Sequence, residues 1–311
     1  VTLFDSKGIG KGASGIATGL LHPYPGEQGR RSWKASEGIA ATLALIEEVE
    51  ASIGRSIATR GGILRVVQDD EQRDAFLNHA ERYGDVESVD GSTFRITSGI
   101  TIHCQSYLQG LWKMVEQRGG ALVCQQISSL STLAAEFDHI VLTVGGGIAA
   151  FPESKELRFE RTKGQVLTAE VPEHLQKGLQ SLIGKGYLAT GESPHRCYLG
   201  STYERPFVSE DPDPFIAAEE ILPKLGLAYP HVDQLRLMGC SAGLRVSRKG
   251  HYYPIIARFS PDCWSMTAMG SRGLMYHAYL SNLLSQAILS GDVSLLPQEV
   301  LIDKTFSRTS V

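Results

Sequence analysis

The sequence predicts an α/β fold of α+β character in which two domains are threaded from interleaved segments. Three observations predict it. A short apolar strand opens the chain and runs into a glycine-dense loop. A continuous apolar strand, 138–144 (DHIVLTV), ends in Gly145-Gly146-Gly147. The middle third is a set of β-like runs between turn residues, after which the last third returns to strand, glycine turn and helix.

The elements follow in order. Val1-Thr2-Leu3-Phe4-Asp5 reads as a buried strand ending in an acid, and residues 8–15 (GIGKGASG) form the glycine-dense loop. Ile39, Leu43, Ile46 and Val49 recur at helical spacing within residues 38–51, giving a helix with one buried face. A strand is expected at 62–67 and a polar helix at 71–83. A second amphipathic helix is expected at 106–118, with Leu108, Leu111, Trp112 and Val115 turned inward, followed by a short strand at 121–124. The strand at 138–144 is apolar throughout, as in a sheet covered on both faces. Runs 158–171, 186–190 and 196–203 are β-like, a helix is expected at 213–225 and a strand at 234–238. Residues 264–269 lead through Gly270-Ser271-Arg272-Gly273 into a helix over 274–289. Pro297 is expected to end the packed structure, and 301–311 to be a tail with its loosest part at 304–311. One domain is assigned to 1–60, 98–152 and 240–300, and the other to 61–97 and 153–239.

Composition narrows the function. With 311 residues, 42% of them hydrophobic, the chain can bury a large core. Thirty Lys and Arg against 34 Asp and Glu give a net charge of -4, which excludes a strongly basic nucleic-acid coat. No apolar run reaches the roughly 18–20 residues of a membrane span. Five scattered cysteines without a CxxC pair argue against a disulfide framework and a zinc site, and favour a reducing, cytoplasmic setting. No pair of histidines or cysteines has metal-ligand spacing.

A strand ending in an acid is the pattern of the second strand of a dinucleotide-binding unit, where the carboxylate accepts hydrogen bonds from ribose hydroxyls. On its own residues, Asp5 equally closes an ordinary strand. The strand and G-x-G-x-x-G turn that precede such an acid are expected about 20–30 residues earlier, upstream of Val1. That leaves either a fragment or a chain without the unit.

Several short segments carry a resemblance: VTLFD, GASG and GLLHP at the front, TVGGG in the middle, then KGQV, GYLAT, LGSTYE, AGLR and AMGSRGL. In this order, over nearly the whole chain, they resemble the FAD-dependent oxidoreductases of the D-amino-acid oxidase and glycine oxidase family. Within it they are most similar to the FAD domains of the bifunctional tRNA 5-methylaminomethyl-2-thiouridine biosynthesis proteins. The resemblance implies a Rossmann-like FAD domain of the glutathione-reductase type, lacking its first βα turn, and an interleaved substrate domain with an antiparallel or mixed sheet. Those bifunctional proteins also carry a methyltransferase domain, of which this chain has no trace; a separate methyltransferase acting on the product is a candidate partner.

The resemblance also assigns residues. Asp5 would hold the adenosine ribose. Gly12, Ala13, Ser14 and Gly15 would approach the pyrophosphate with backbone N–H groups. Ala17, Thr18 and Gly19 would pass beside the flavin ring, Ile127 would touch the adenine end, and Thr143, Gly145 and Gly146 would form a second cofactor turn. Gly270, Ser271, Arg272, Gly273 and Leu274 would bring a helix N-terminus and a full positive charge to the pyrimidine side of the flavin. Arg245 would grip the substrate carboxylate through two parallel hydrogen bonds, and Tyr187 would donate another. A structural ion pair for Arg245, a core-edge position for Tyr187 and an exposed cap position for Arg272 are the alternatives.

His22 falls in the flavin-side loop, where it could line the pocket, and His277 on the last helix reads as a surface or packing residue. Tyr252, Tyr253 and Tyr276 form either an aromatic wall or plain core. Hydride transfer from the substrate carbon needs no protein base, so none is assigned. Arg245, Arg248, Lys249 and Arg258, with Arg158, Arg161 and Lys163, either hold RNA phosphates or form a solvated face. The expected activity is FAD-dependent oxidation of the C–N bond of an N-substituted glycine. The implied substrate is the carboxymethylaminomethyl uridine of a tRNA wobble position, with release of glyoxylate. The alternatives are oxidation of a free small amine or amino acid, and a flavin-free binding protein of the same fold.

Overall fold

The computed structural model describes residues 1–303. Strand β1 (Thr2–Phe4) leads through the glycine loop to β2 (Leu20–Leu21), and helix α1 (Ala35–Ile53) follows. Next come β3 (Ala58–Arg60), β4 (Ile63–Val66), α2 (Asp70–Tyr83), β5 (Val86–Ser88), β6 (Thr93–Ile96) and β7 (Ile100–Ile102). Helix α3 (Cys104–Gln117) precedes β8 (Ala121–Val123) and β9 (Ile140–Leu142). The middle holds β10 (Phe159–Glu170), a single turn α4 (Glu173–Gln176), β11 (Leu182–Ile183), β12 (Tyr187–Thr190) and β13 (Arg196–Gly200). Helix α5 (Pro214–Gly226), β14 (Arg236–Arg248), β15 (Ile255–Ser260), β16 (Cys263–Thr267), α6 (Gly273–Ser290) and β17 (Leu301–Asp303) complete the described residues.

These strands form a mixed α/β architecture. An eight-stranded sheet has the order β14-β10-β13-β12-β11-β4-β6-β5. It is antiparallel except where β11 runs parallel to β4. A four-stranded sheet has the order β17-β15-β16-β9, with β17 and β9 parallel to their neighbours. β1 pairs in parallel with β8, and β2, β7 and β3 make a small antiparallel sheet. Parallel strands need covering layers. The largest core supplies one: α1, α3 and α6 bury Ile46, Val49, Tyr107, Leu280 and Leu284 together with Ile256 and Trp264 of the four-stranded sheet. One face of the eight-stranded sheet buries Leu167, Leu188, Cys197 and Leu199 against Ala217, Ile221 and Leu225 of α5. Asp213 starts α5 by accepting hydrogen bonds from the N–H groups of Phe215 and Ile216, with Pro214 at the first helical position.

Several expectations need correcting. In α3 the most buried residues are Cys104, Tyr107, Gly110 and Met114, while Leu108, Leu111, Trp112 and Val115 are half-buried. Gly110 decides this, because a Cβ there would run into Val49; the bare backbone lets α3 close on α1 along the 107–110–114 line. The strand at 138–144 is shorter than expected and is not covered on both faces: β9 is an edge strand, and Val141 and Val144 are each 41% exposed. Packed structure does not end at Pro297. Val300 is fully buried, and β17 pairs with β15 from Leu301↔Ile256 to Asp303↔Arg258, so 301–303 belong to a sheet. The remainder of the expected tail, 304–311, lies outside the described residues. The division expected between 239 and 240 falls inside the continuous strand β14.

Candidate functional site

The glycine loop begins at Asp5. Its carboxylate accepts hydrogen bonds from the N–H groups of Lys7 (2.8 Å) and Gly8 (2.9 Å), turning the chain out of β1. Gln105 and Gln109 on α3 then hold the loop from outside, through Nε2 donors to the carbonyls of Gly10 (2.7 Å) and Ile9 (3.2 Å). Gly15 is obligatory: a Cβ would overlap the Gly10 carbonyl and lie 2.7 Å from Gln105 Nε2. Gly19 (φ +82°) occupies the left-handed region, and its carbonyl accepts the Ile102 N–H at 2.9 Å. Gly12 is different. A Cβ there would meet nothing within 4 Å, and Ser14 and Ala17 are exposed, so this stretch offers bare backbone to its surroundings. Gly145 (φ +51°) offers the same open space in the second turn, where Thr143 is exposed and Gly146 packs on Leu244. Open glycine backbone at both turns fits a group recognised through main-chain N–H donors. Ile127 is half-buried against the core that contains Leu130, Leu142 and Ile148.

The face of the eight-stranded sheet turned away from α5 carries Tyr187 and Arg245. The register aligns Tyr187 with Gly200, Gly200 with Val166, and Val166 with Ser241 in one cross-strand row, with Gly164 opposite Gly243 and Thr162 opposite Arg245 in the rows beyond. Two of the glycines are seats. A Cβ on Gly200 would overlap the Tyr187 hydroxyl and lie 2.6 Å from its Cε2. A Cβ on Gly164 would overlap Arg245 Nη2 and lie 2.8 Å from Cζ. The two long side chains therefore lie flat across the sheet over bare backbone. Both reach the segment leaving β13: Arg245 Nη2 donates to the Thr202 carbonyl (2.8 Å) and to Ser201 Oγ (3.3 Å), beside the Gly200 that seats Tyr187. The Tyr203 ring lies 5.8 Å from the Arg245 guanidinium. Arg245 makes no ion pair among the described residues. Gly164 and Gly200 were not singled out in the sequence, although an isolated glycine inside a strand is the available signal.

The carboxyl-terminal turn approaches the same strand. The Gly270 N–H donates to the Val246 carbonyl at 2.7 Å, and Gly243 packs on Ala13 and Ile16 of the glycine loop. Residues 243–247 of β14 thus gather the loop, the 143–146 turn, the 270–273 turn and the Arg245 side chain. Ser271 is exposed, whereas Arg272 is partly buried as the N-cap of α6. No side chain caps that helix, and its first turn retains the partial positive charge of unpaired N–H groups. Gly273 and Leu274 form the first turn, where Thr42 Oγ1 donates to the Leu274 carbonyl at 2.7 Å. Arg272 donates through Nε to Ser32 Oγ (3.3 Å) and lies 4.5 Å from the centre of the Tyr252 ring. Its only counterparts among the described residues are neutral, and burial pulls its pKa down. An exposed cap position for Arg272 is therefore ruled out.

His22 lies buried beside this turn. Burial, then the charges of Arg65 and Arg272, pull its pKa down to about 3, so the imidazole is neutral at pH 7. Its Nδ1 accepts the Tyr24 N–H at 3.3 Å. His277 is a packing residue: Tyr107 Oη lies 2.7 Å from Nε2, while Nδ1 faces the Gly273 and Leu274 carbonyls. The three tyrosines do not form one wall. Tyr276 is core, Tyr253 packs on Trp33, and Tyr252 is exposed over Arg272. A cleft of about 230 Å³ opens between Ala17 and Thr18 of the loop, His103–Ser106 at the start of α3, and Val166, Tyr198 and Ser241 of the sheet face. Among the described residues no His, Cys, Asp and Glu cluster suits a metal ion, and no helix is long and apolar enough to cross a membrane.

The FAD dependent oxidoreductase (DAO) family matches the chain over residues 1–287. No curated protein matches it. Among solved structures, iminodiacetate oxidase from Chelativorans sp. BNC1 is similar at 17% identity and a TM-score of 0.80, covering 97% of this chain and 92% of that one. Glycine oxidase from Geobacillus kaustophilus is similar at 15% identity and a TM-score of 0.76, covering 94% and 88%. L-proline dehydrogenase from P. horikoshii is similar at 13% identity and a TM-score of 0.72, covering 95% and 88%. At these identities the likeness is one of fold.

Proposed function

The chain belongs to the FAD-dependent oxidoreductase (DAO) family, and from that premise we propose that it oxidises the C–N bond of a free amino acid or a small N-substituted glycine. The observation that carries this reading is Arg245. It is an arginine laid over glycine on an open sheet face, with a carbonyl and a hydroxyl as its hydrogen-bond acceptors. Two guanidinium donors can hold a carboxylate and fix its direction as well as its distance. The Tyr187 hydroxyl, seated on Gly200, supplies a third donor from the other side of the 200–202 segment. An acid group held there leaves the neighbouring carbon facing out from the sheet, toward the glycine loop that packs on Gly243.

In this reading Asp5, Gly12, Ala13, Ser14 and Gly15 would hold the ribose and pyrophosphate of FAD, with Thr143, Gly145 and Gly146 as a second turn and Ile127 toward the adenine end. Ala17, Thr18 and Gly19 would line the flavin, and Gly270, Ser271, Arg272, Gly273 and Leu274 would contact it from the carboxyl-terminal turn. When bound, FAD supplies the two-electron acceptor that takes the hydride from the substrate carbon. Arg272 and the uncapped first turn of α6 offer positive charge to negative charge developing beside them, an effect worth a few kcal/mol in a site shielded from water. A substrate bound as the neutral amine has the nitrogen lone pair that drives hydride loss, so no residue is assigned as a base, and water then hydrolyses the imine. For an N-substituted glycine the products are glyoxylate and the shortened amine.

The tRNA wobble base is the narrower substrate that the resemblance implies, with a separate methyltransferase acting on its product. Of the seven basic residues that would hold RNA phosphates, three are in ion pairs: Arg161 with Glu210, Arg258 with Asp303, and the buried Lys163 with Glu204. The test is glyoxylate release by FAD-loaded protein from glycine, sarcosine and iminodiacetate, with undermodified tRNA as a parallel substrate. Turnover of the free acids, lost in Arg245→Ala, is expected. Glyoxylate from tRNA alone, or unchanged kinetics in Arg245→Ala, overturns the small-substrate reading. Folded protein that takes up no FAD points to the flavin-free alternative.

A further inference from the structure

Behind the Arg245 clamp lies a buried polar network that the reaction does not itself require. After β13 the chain continues alongside β10. Thr202 N–H donates to the Gln165 carbonyl (3.3 Å), and Lys163 and Glu204 exchange backbone hydrogen bonds (3.2 and 3.0 Å). Within this segment Ser201 and Tyr203 meet Arg245, while Thr202 and Glu204 reach Gln165 and Lys163. Thr202 Oγ1 accepts the Gln165 N–H (2.9 Å) and donates to Glu204 Oε1 (2.6 Å), which also accepts from Gln165 Nε2 (2.9 Å). Lys163 Nζ stands 3.5 Å from Glu204 Oε2, with side-chain exposures of only 5% and 15%. Gln165 is fully buried, and its Oε1 accepts the N–H of Asp213, the cap of α5.

A buried ion pair is a poor way to add stability, because desolvating both charges offsets most of their attraction. What Glu204 does is hold Thr202, accepting from its hydroxyl on one side while the Gln165 N–H donates to that hydroxyl on the other. The carbonyl of that residue is the closer acceptor of Arg245. Burial pushes the Glu204 carboxyl up, but the hydrogen bonds from Thr202 and Gln165 and the Lys163 ammonium together hold it below the usual carboxylate range. It therefore stays an acceptor for the Thr202 hydroxyl at neutral pH.

We propose that Glu204, paired with Lys163, is a positioning residue that fixes Thr202 and through its carbonyl aims the Arg245 guanidinium at the substrate carboxylate. This rests on reading Arg245 as the carboxylate clamp. Glu204 touches neither substrate nor cofactor in this scheme, so its effect must travel entirely through Arg245.

The test compares Glu204→Gln, Arg245→Ala and the double variant as FAD-loaded proteins. It reads kcat and KM for the best free amino-acid substrate, and the shift in melting temperature produced by glycolate as a bare carboxylate probe. Glu204→Gln is expected to raise KM about ten-fold with kcat changed less than about three-fold, and to weaken the glycolate shift. Adding it to Arg245→Ala is expected to change KM no further, since the group it aims is already gone. A lower melting temperature with KM and the glycolate shift intact, or an additive double variant, overturns the proposal and leaves Glu204 a purely structural group. If Arg245→Ala itself leaves KM and the glycolate shift unchanged, the clamp reading fails, and the inference with it. Should Glu204→Gln not fold, Thr202→Val removes the hydroxyl link while keeping the side-chain shape. The same rise in KM is expected from it, and an unchanged KM in that variant counts equally against the proposal.

Discussion

Gly164→Ala tests the seating of Arg245 without touching Arg245. The new Cβ would overlap Nη2 and stand 2.8 Å from Cζ and 2.9 Å from Nε, all atoms at the far end of a flexible side chain. The guanidinium therefore moves, and the strand does not. Moving it breaks the bond to the Thr202 carbonyl and lifts the fork out of the plane in which it would meet a carboxylate. A hydrogen bond to a charged group is worth about 1.5–3 kcal/mol. Misplacing the clamp is thus expected to cost roughly 2–4 kcal/mol of transition-state binding, or about 30- to 900-fold in kcat/KM. Stability should change little. The displaced guanidinium, only partly buried, meets water in place of its two protein acceptors, and alanine in an extended strand recovers about 0.4–1 kcal/mol of unfolded-state entropy. The assay is steady-state kinetics on the free amino acid alongside thermal unfolding. KM and kcat within two-fold of the parent, in a protein where Arg245→Ala is strongly impaired, would refute the seating argument. So would a large fall in melting temperature, because it would mean that the backbone yielded instead of the side chain.

Three further outcomes are expected. Gly19→Ala places a Cβ on the Ile102 backbone at a φ of +82°, where neither partner can yield, and should cost about 2–4 kcal/mol in urea unfolding; a cost below 1 kcal/mol would contradict the packing of that loop. Tyr187→Phe removes one donor to the carboxylate and should raise KM about five-fold, the worth of about 1 kcal/mol, with unchanged melting; an unchanged KM would return Tyr187 to the core edge. His22 titrates near 6.5 when unfolded and about 3 when folded, so the unfolded chain binds the extra proton first, and stability is lost as pH falls below 6.5. Between pH 7 and 5 this amounts to about 2 kcal/mol, which should be missing from the pH dependence of His22→Gln; identical curves for parent and variant would show that His22 is not buried neutral.

Most elements were legible in the sequence, because their signals are local. Asp213-Pro214 marks the start of α5, and β-like runs between turn residues mark β10, β12 and β13. Helix α3 was legible as a helix but not in its orientation. Its inward line depends on Gly110 meeting Val49, a contact between helices far apart in the chain. The core contribution of 300–303 was missed because Pro297 reads as an end, whereas β17 is held by pairing with β15.

The amino-acid sequence by itself determined the main helices, the longer strands and the glycine turns, and its resemblance to a known family supplied the residues expected to grip a carboxylate or meet a dinucleotide. The former follow from backbone preference and side-chain patterning, which act over a few residues. Only the tertiary structure decided that Arg245 lies over Gly164 and Tyr187 over Gly200, that Glu204 stands behind Thr202, and that His22 is stripped of water between Arg65 and Arg272. Each of these depends on strand register and burial, which bring together groups tens to hundreds of residues apart and which no local pattern encodes.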